Sequence, residues 1–171
     1  MLIHRKITKT GRNLRRENGQ SLVEIALMLP FLLLLLVGVI EFGRYAYIGI
    51  LVGNAARAGA AYGVQGNIQS GDQAGITTAA KNDFQNNGQN ASLLTVDAPI
   101  VVCGCDSGGT VTTAGCSTQT NATAGTCTSG HWVATLTVTA HGKFNSLFGF
   151  PGIPKSLTVT RSATMRVNVL G

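Results

Sequence analysis

Residues 19–62 read GQSLVEIALMLPFLLLLLVGVIEFGRYAYIGILVGNAARAGAAY, and the rest of the chain is organised around them. Between Glu24 and Glu41 lie sixteen residues, 25–40, with neither a charge nor a hydrogen-bonding side chain. Residues 22–47 are apolar apart from Glu24, Glu41 and Arg44. A helix needs about 20 apolar residues to cross a hydrocarbon core of roughly 30 Å, and no other stretch of this chain meets that need. A buried core helix of a soluble domain is the competing explanation. It is disfavoured because the chain offers no second helical layer to cover so apolar a segment. Pro30, inside the run, removes one backbone donor and kinks the helix, which membrane helices tolerate where neighbours satisfy the freed groups.

Working outward, the charge is lopsided. Arg5, Lys6, Lys9, Arg12, Arg15 and Arg16 precede Gly19 against Glu17 alone, so most of the formal +6 sits in the leader. The remainder is close to neutral. The basic balance therefore argues for a leader held in the cytoplasm and an exported C-terminal part, not for nucleic-acid binding. An ordinary secretory signal would place a small-residue cleavage site close behind a shorter apolar run. Here Ala58-Gly59-Ala60 lies far beyond it, with Arg44 and Arg57 between.

Glu24 is the fifth residue after Gly19. With a basic leader before it and an apolar helix after it, this is the G-x-x-x-x-E pattern of prepilin processing. Gly lets a protease approach the backbone closely. A carboxylate at the edge of a membrane helix is costly without a partner. The new α-amino group of Gln20 on a neighbouring subunit is the expected partner.

Beyond Ile40 small residues take over. Gly49 and Gly53 form one G-x-x-x-G pair, and Gly59 and Gly63 another. Small residues let helices approach closely, either under the chain's own globular part or against a neighbour. Glu41 and Arg44, at i,i+3, can pair on the helix surface. Arg57 has no local acidic partner. A helix over residues 21–62 would run about 63 Å, roughly twice the membrane, so about half should project into the outer compartment.

Residues 63–75 hold four glycines and break the helix. A short amphipathic helix is expected over 72–86, with Ile76, Ala79, Ala80, Asp83 and Phe84 at helical spacing. The period then changes to two. Three strands are expected: Leu94, Val96, Ala98, Ile100 and Val102 on one face of the first; Trp132, Ala134, Leu136, Val138 and Ala140 of the second; Leu157, Val159, Ala163, Met165, Val167 and Val169 of the third, broken by Arg161. Pro99 places the first strand at an edge. Their apolar face should be covered by the projecting half of the long helix. The fold class is thus α+β, a long N-terminal membrane helix packed on a small antiparallel sheet of about three strands. The expected division is a leader at 1–19, a spanning and assembly helix at 20–63 and an extracytoplasmic head at 64–171.

Two insertions separate the strands. Residues 104–130, rich in Gly, Thr and Ser, lie among Cys103, Cys105, Cys116 and Cys127. An even, clustered set in an oxidising compartment reads as two disulfides. Three pairings are possible, and the nested one, Cys103–Cys127 with Cys105–Cys116, is preferred because it cinches the loop. Residues 142–155 carry Phe144, Leu147, Phe148, Phe150 and Ile153. That is more apolar content than a loop needs, suiting a lid on the core or a patch for a partner subunit or the membrane surface.

Enzymatic chemistry finds no support. The cysteines lack the paired C-x-x-C knuckles of zinc sites. His131 and His141, ten residues apart on one strand, have no nearby carboxylate to orient them. No nucleophile elbow, phosphate loop or dinucleotide fingerprint is present. No cofactor or metal is expected.

The stretch from Arg15 to Gly63 resembles the TadE-like proteins, minor pilins or pseudopilins of bacterial tight-adherence (Flp-type) pilus systems. The resemblance is carried by residues 19–24 (GQSLVE), Ala26, Pro30, the Leu run, residues 41–44 (EFGR) and residues 55–59 (AARAG), with LTVTRSATMR near the end similar to the family's closing strand. One departure is Ile25, where the family often has Tyr or Phe after the Glu. The resemblance implies a non-enzymatic, single-pass inner-membrane component with its N-terminus cytoplasmic and its head extracytoplasmic. It further implies cleavage by a prepilin peptidase after Gly19, and contacts with membrane lipid, other pilin or pseudopilin subunits and the pilus assembly platform. Its roles would be in adherence, biofilm formation or secretion. The alternative is an uncleaved single-pass membrane protein whose exported domain binds a ligand.

Overall fold

The computed structural model describes residues 17–116, 121–149 and 154–169. Nearly all of the basic leader, together with Phe150 and Ile153, lies outside the described residues. The chain divides into two compact units, one ending at Ile40 and the other beginning at Glu41. One helix, α1 (Glu17–Gly63), runs through the division.

In the first unit α1 carries the apolar run. Its side chains are exposed almost throughout, with Leu27 at 68% and Phe31 at 75%. Its apolar side chains are not covered by the rest of the described residues, and by length and composition α1 is long enough and apolar enough to cross a membrane.

The second unit is a sheet covered on one face by helix. After α1, the short helix α2 (Asn67–Gly71) leads to α3 (Gln73–Asn86). Asp72 caps α3: its carboxylate accepts from the Gly75 N–H at 3.0 Å and from the Tyr62 hydroxyl at 2.7 Å. The N–H bond first, and the hydroxyl second, hold the Asp72 carboxyl below its ordinary pKa. Ile76, Ala80 and Phe84 are the buried face of α3, at the expected spacing.

The strands are β1 (Leu94–Val96), β2 (Ile100–Ser107), β3 (Thr110–Thr113), β4 (His131–Asn145) and β5 (Ser156–Arg166), all antiparallel. The sheet has five strands where about three were expected. The long strand β4 is central: β5 lies along one side, and β1 and β2 follow one another along the other, with β3 beyond β2. Two features make the extra strands. Gly108 and Gly109, at φ +67° and +91°, turn β2 tightly back into β3 inside what reads as irregular insertion. Pro99 splits the expected first strand into β1 and β2.

That split also moves the register. Val96 stands opposite Ala140 and Ile100 opposite Thr137, so three residues of one strand face two of its partner. The extra residue is a bulge, a natural place for a proline that has no N–H to donate. Beyond it the alternation inverts. Val101 and Cys103 are buried, whereas Ile100, expected inward, is 43% exposed.

The buried face of β4 (Ala134, Leu136, Val138, Ala140, then Gly142 and Phe144) follows the period of two from Ala134 onward, with Val133 also buried at the start of the strand. Around it lie two apolar clusters. One gathers Ala60, Ile76, Val101, Cys103, Leu136 and Val138. The other joins Leu51, Val52, Ala55 and Ala56 of α1 to Ala80, Phe84, Leu94 and Ala140. Residues 41–63 of α1 thus cover the sheet, as expected from the sequence.

The disulfides are Cys103–Cys116 and Cys105–Cys127, with Cα separations of 5.0 and 5.7 Å. The pairs interleave, so the nested arrangement is incorrect. The reason is the β2–β3 register. Cys105 sits opposite Thr112 and Gly104 opposite Thr113, so the chain leaving β3 passes Cys103, whose carbonyl accepts from the Ala114 N–H at 2.8 Å. Cys116 therefore meets Cys103. Cys105 is left for Cys127, which approaches from the start of β4, where Trp132 stands opposite Cys105.

Candidate membrane and assembly site

The residues of the prepilin pattern share the first turns of α1. The helix begins at Glu17, so Gly19 and Gln20 are already helical. Nothing lies within 4 Å of where a Cβ on Gly19 would stand. Gln20 and Glu24 are exposed, and Pro30 sits within the helix in the exposed apolar run. The structure places these residues on one element, all exposed among the described residues.

The remaining helix residues are gathered against the sheet. Glu41 and Arg44 pair as expected, at 2.9 Å. Glu41 does more than that pairing requires. Its Oε1 also accepts from the Ser146 hydroxyl at 2.9 Å, from the Phe148 N–H at 3.1 Å and from the Leu147 N–H. One carboxylate thus ties down the turn that joins β4 to β5. The Arg44 guanidinium lies 5.3 Å from the centre of the Phe144 ring, a cation–π distance, and Tyr45 meets the same ring edge to face.

Neither glycine pair is left bare for another subunit. Gly59 and Gly63 face α3 and the sheet: a Cβ on Gly59 would stand 3.1 Å from the Ile76 carbonyl oxygen, and one on Gly63 would overlap Leu136. Gly49 and Gly53 face Arg161, whose side chain passes over them. Arg161 breaks the apolar alternation of β5, and the two glycines supply the room for its stem. Its head, with exposed Arg57, Phe42 and Ile50, lines an open groove of about 460 Å³. Among the described residues Arg57 makes no ion pair.

The histidines differ from expectation. Both have carboxylate neighbours, supplied by β2 and by the β1–β2 link and so invisible to local spacing. His141 Nε2 lies 2.8 Å from Asp97 Oδ2, with Nδ1 2.9 Å from the Thr160 hydroxyl. His131 Nε2 lies 3.7 Å from Asp106 Oδ2, which also accepts from Arg166 at 3.2 Å. Among the described residues no group of three His, Cys, Asp or Glu side chains converges as a metal site would require.

The apolar stretch 142–155 resolves into two parts. Phe144 belongs to β4 and is buried, whereas Leu147 and Phe148 in the turn are 66% and 43% exposed. The anchoring of that turn by Glu41 escaped the sequence reading. The two ends of the contact are more than a hundred residues apart, and only the unexplained apolar content of the turn hinted at it.

No curated protein and no solved structure matches the chain. Over residues 19–61, the apolar segment and its small-residue continuation, the chain matches the family described as TadE-like protein.

Proposed function

We propose that this protein is a membrane-anchored minor pilin or pseudopilin that takes part in assembly of a tight-adherence pilus. The observation that carries the reading is the coincidence of the family match with α1. The matched segment, residues 19–61, takes in both the apolar run and most of the stretch of α1 that covers the sheet. On this reading residues 1–19 are a cytoplasmic leader, residues 20–63 the spanning and assembly helix, and residues 64–171 the extracytoplasmic head. Prepilin peptidase cuts after Gly19. The freed amine of Gln20 neutralises Glu24 of a neighbouring subunit, since a carboxylate at the membrane edge is stable only with such a partner. The exposed faces of α1, including Arg57 beside the groove, meet other pilin subunits, the assembly platform and inner-membrane lipid. The head contributes contacts and no catalysis.

The test is intact mass of the protein from membranes of cells that carry a prepilin peptidase, beside a Gly19→Ala variant. The expected result is mature protein beginning at Gln20, lost in the variant. Full-length protein in both would replace this reading with an uncleaved anchored protein whose head binds a ligand.

A further inference from the structure

We propose that the β4–β5 turn is a membrane foot: Leu147 and Phe148 enter the headgroup region of the bilayer beside the point where α1 leaves it. The proposal rests on residues 22–40 spanning the membrane and does not depend on leader cleavage.

Depth is the first argument. The backbone N–H groups of Leu147 and Phe148, and the Ser146 hydroxyl, all bind the carboxylate of Glu41. Glu41 directly follows the sixteen uncharged residues that end at Ile40. It is the first group in the chain that must return to the water side of the boundary. A turn tied to that carboxylate is held at that boundary too.

The second argument is the character of the surface. Leu147 and Phe148 are large and exposed. The same end of the unit presents Phe42 at 74% and Tyr45 and Tyr47 at 37% and 49%. Aromatic side chains with one polar end gather where bilayer meets water. Around the turn stand Lys143 and Lys155, both exposed, whereas Arg44 is already paired with Glu41. Cations beside exposed apolar side chains complement anionic headgroups, whereas a protein partner would need a matching acidic rim. The structure assigns the lipid surface as the occupant.

The backbone of residues 146–148 is suited to that place. Buried N–H groups without partners are costly in lipid. Here Glu41 takes those of Leu147 and Phe148, and the Ser146 N–H donates to the Lys155 carbonyl at 2.9 Å.

The experiment uses the full chain in vesicles of phosphatidylcholine and phosphatidylglycerol, with Phe148→Trp and, separately, Leu147→Trp. Fluorescence is read as the difference from the unsubstituted chain, which holds a single tryptophan, Trp132. Lipids brominated near the headgroup or near the bilayer centre, and aqueous iodide, serve as quenchers. Leu33→Trp reports on the span itself. The expected result is strong quenching of the introduced indole at 148 by shallow bromines, little by deep bromines, and severalfold weaker iodide quenching than for the free amino acid. Iodide quenching as strong as for the free amino acid would overturn the foot, leaving the turn in water. Shielding from both lipid and iodide would also overturn it, in favour of a protein partner. Failure of deep bromines to quench at position 33 would instead overturn the membrane span, a separate result.

Discussion

The two halves of α1 obey different solvents within one helix. Residues 25–40 are apolar on every side and exposed almost throughout. Residues 41–63 are rich in Gly and Ala among aliphatic, aromatic and a few polar residues, and one face is sealed against the sheet and α3. A helix apolar all round is stable only where its whole circumference meets hydrocarbon, whereas a helix on a sheet needs one close-fitting stripe. Leu34, 64% exposed, and Leu51, 3% exposed, are the same residue type on the same helix, yet they serve different interfaces. Side-chain chemistry alone does not say which interface a leucine serves; its neighbours in space do.

The largest expected effect tests whether the head stands apart from the span. The bridges enclose sequence separations of 13 and 22 residues. Reduction should cost roughly 3 kcal/mol per bridge. Urea unfolding of the detergent-solubilised chain, followed by near-ultraviolet dichroism with and without dithiothreitol, should show the loss. Carbonate extraction should show membrane retention unchanged. Peptide mapping of the oxidised protein would break the interleaved pairing if it recovered Cys103 linked to Cys127.

Next comes the leucine pair. Leu51→Ala should cost roughly 2–5 kcal/mol, the range for a buried leucine. Leu34→Ala should leave the unfolding of the head within about 0.5 kcal/mol of the unsubstituted protein. Equal effects in the same urea titration would erase the contrast.

The glycines sharpen it further. Gly63→Ala forces a methyl into Leu136 and should cost roughly 1–3 kcal/mol. Gly38→Ala meets nothing within 4 Å and should not lower head stability. Thermal melts of the two variants, run side by side, check this.

The smallest effect is a pH dependence confined to the second unit. The Gly75 N–H, and after it the Tyr62 hydroxyl, lower the folded-state pKa of Asp72 below its unfolded value. Its contribution is therefore complete at neutral pH, above the unfolded pKa, and is lost as pH falls through the folded one. Asp72→Asn, still able to cap Gly75, should flatten the acid limb of the stability–pH curve with little change at neutrality. An unchanged acid limb would remove Asp72 from that account.

What could be read locally came out well. The apolar run, the α3 face of Ile76, Ala80 and Phe84, and the alternation of β4 from Ala134 to Phe144 are patterns of near neighbours, and a period needs no tertiary information. What failed was long-range. The inward positions of the first strand were assigned as though Pro99 left the phase intact, and the bulge it creates reversed them. The short strand β3 is hidden because only its pairing with β2 defines it, and β1 separates from β2 only at the bulge. The carboxylates beside His131 and His141 come from β2 and from the β1–β2 link. Of the proposed site, Gly19, Gln20 and Glu24 are picked out by spacing along one helix, whereas the anchoring of residues 146–148 is not, because the anchor is Glu41, more than a hundred residues away.

Sequence by itself determined that the chain has one segment suited to hydrocarbon, where that segment ends, and that small residues follow it. These are properties of composition and period along one helix. Only the tertiary structure decided which cysteines bond, because the β2–β3 register brings the chain leaving β3 past Cys103. Only it showed that Gly49 and Gly53 make room for Arg161 of the same chain, and that Glu41 holds the β4–β5 turn. Each of those depends on which backbone lies beside which, a matter settled by strand pairing and the packing of helix on sheet.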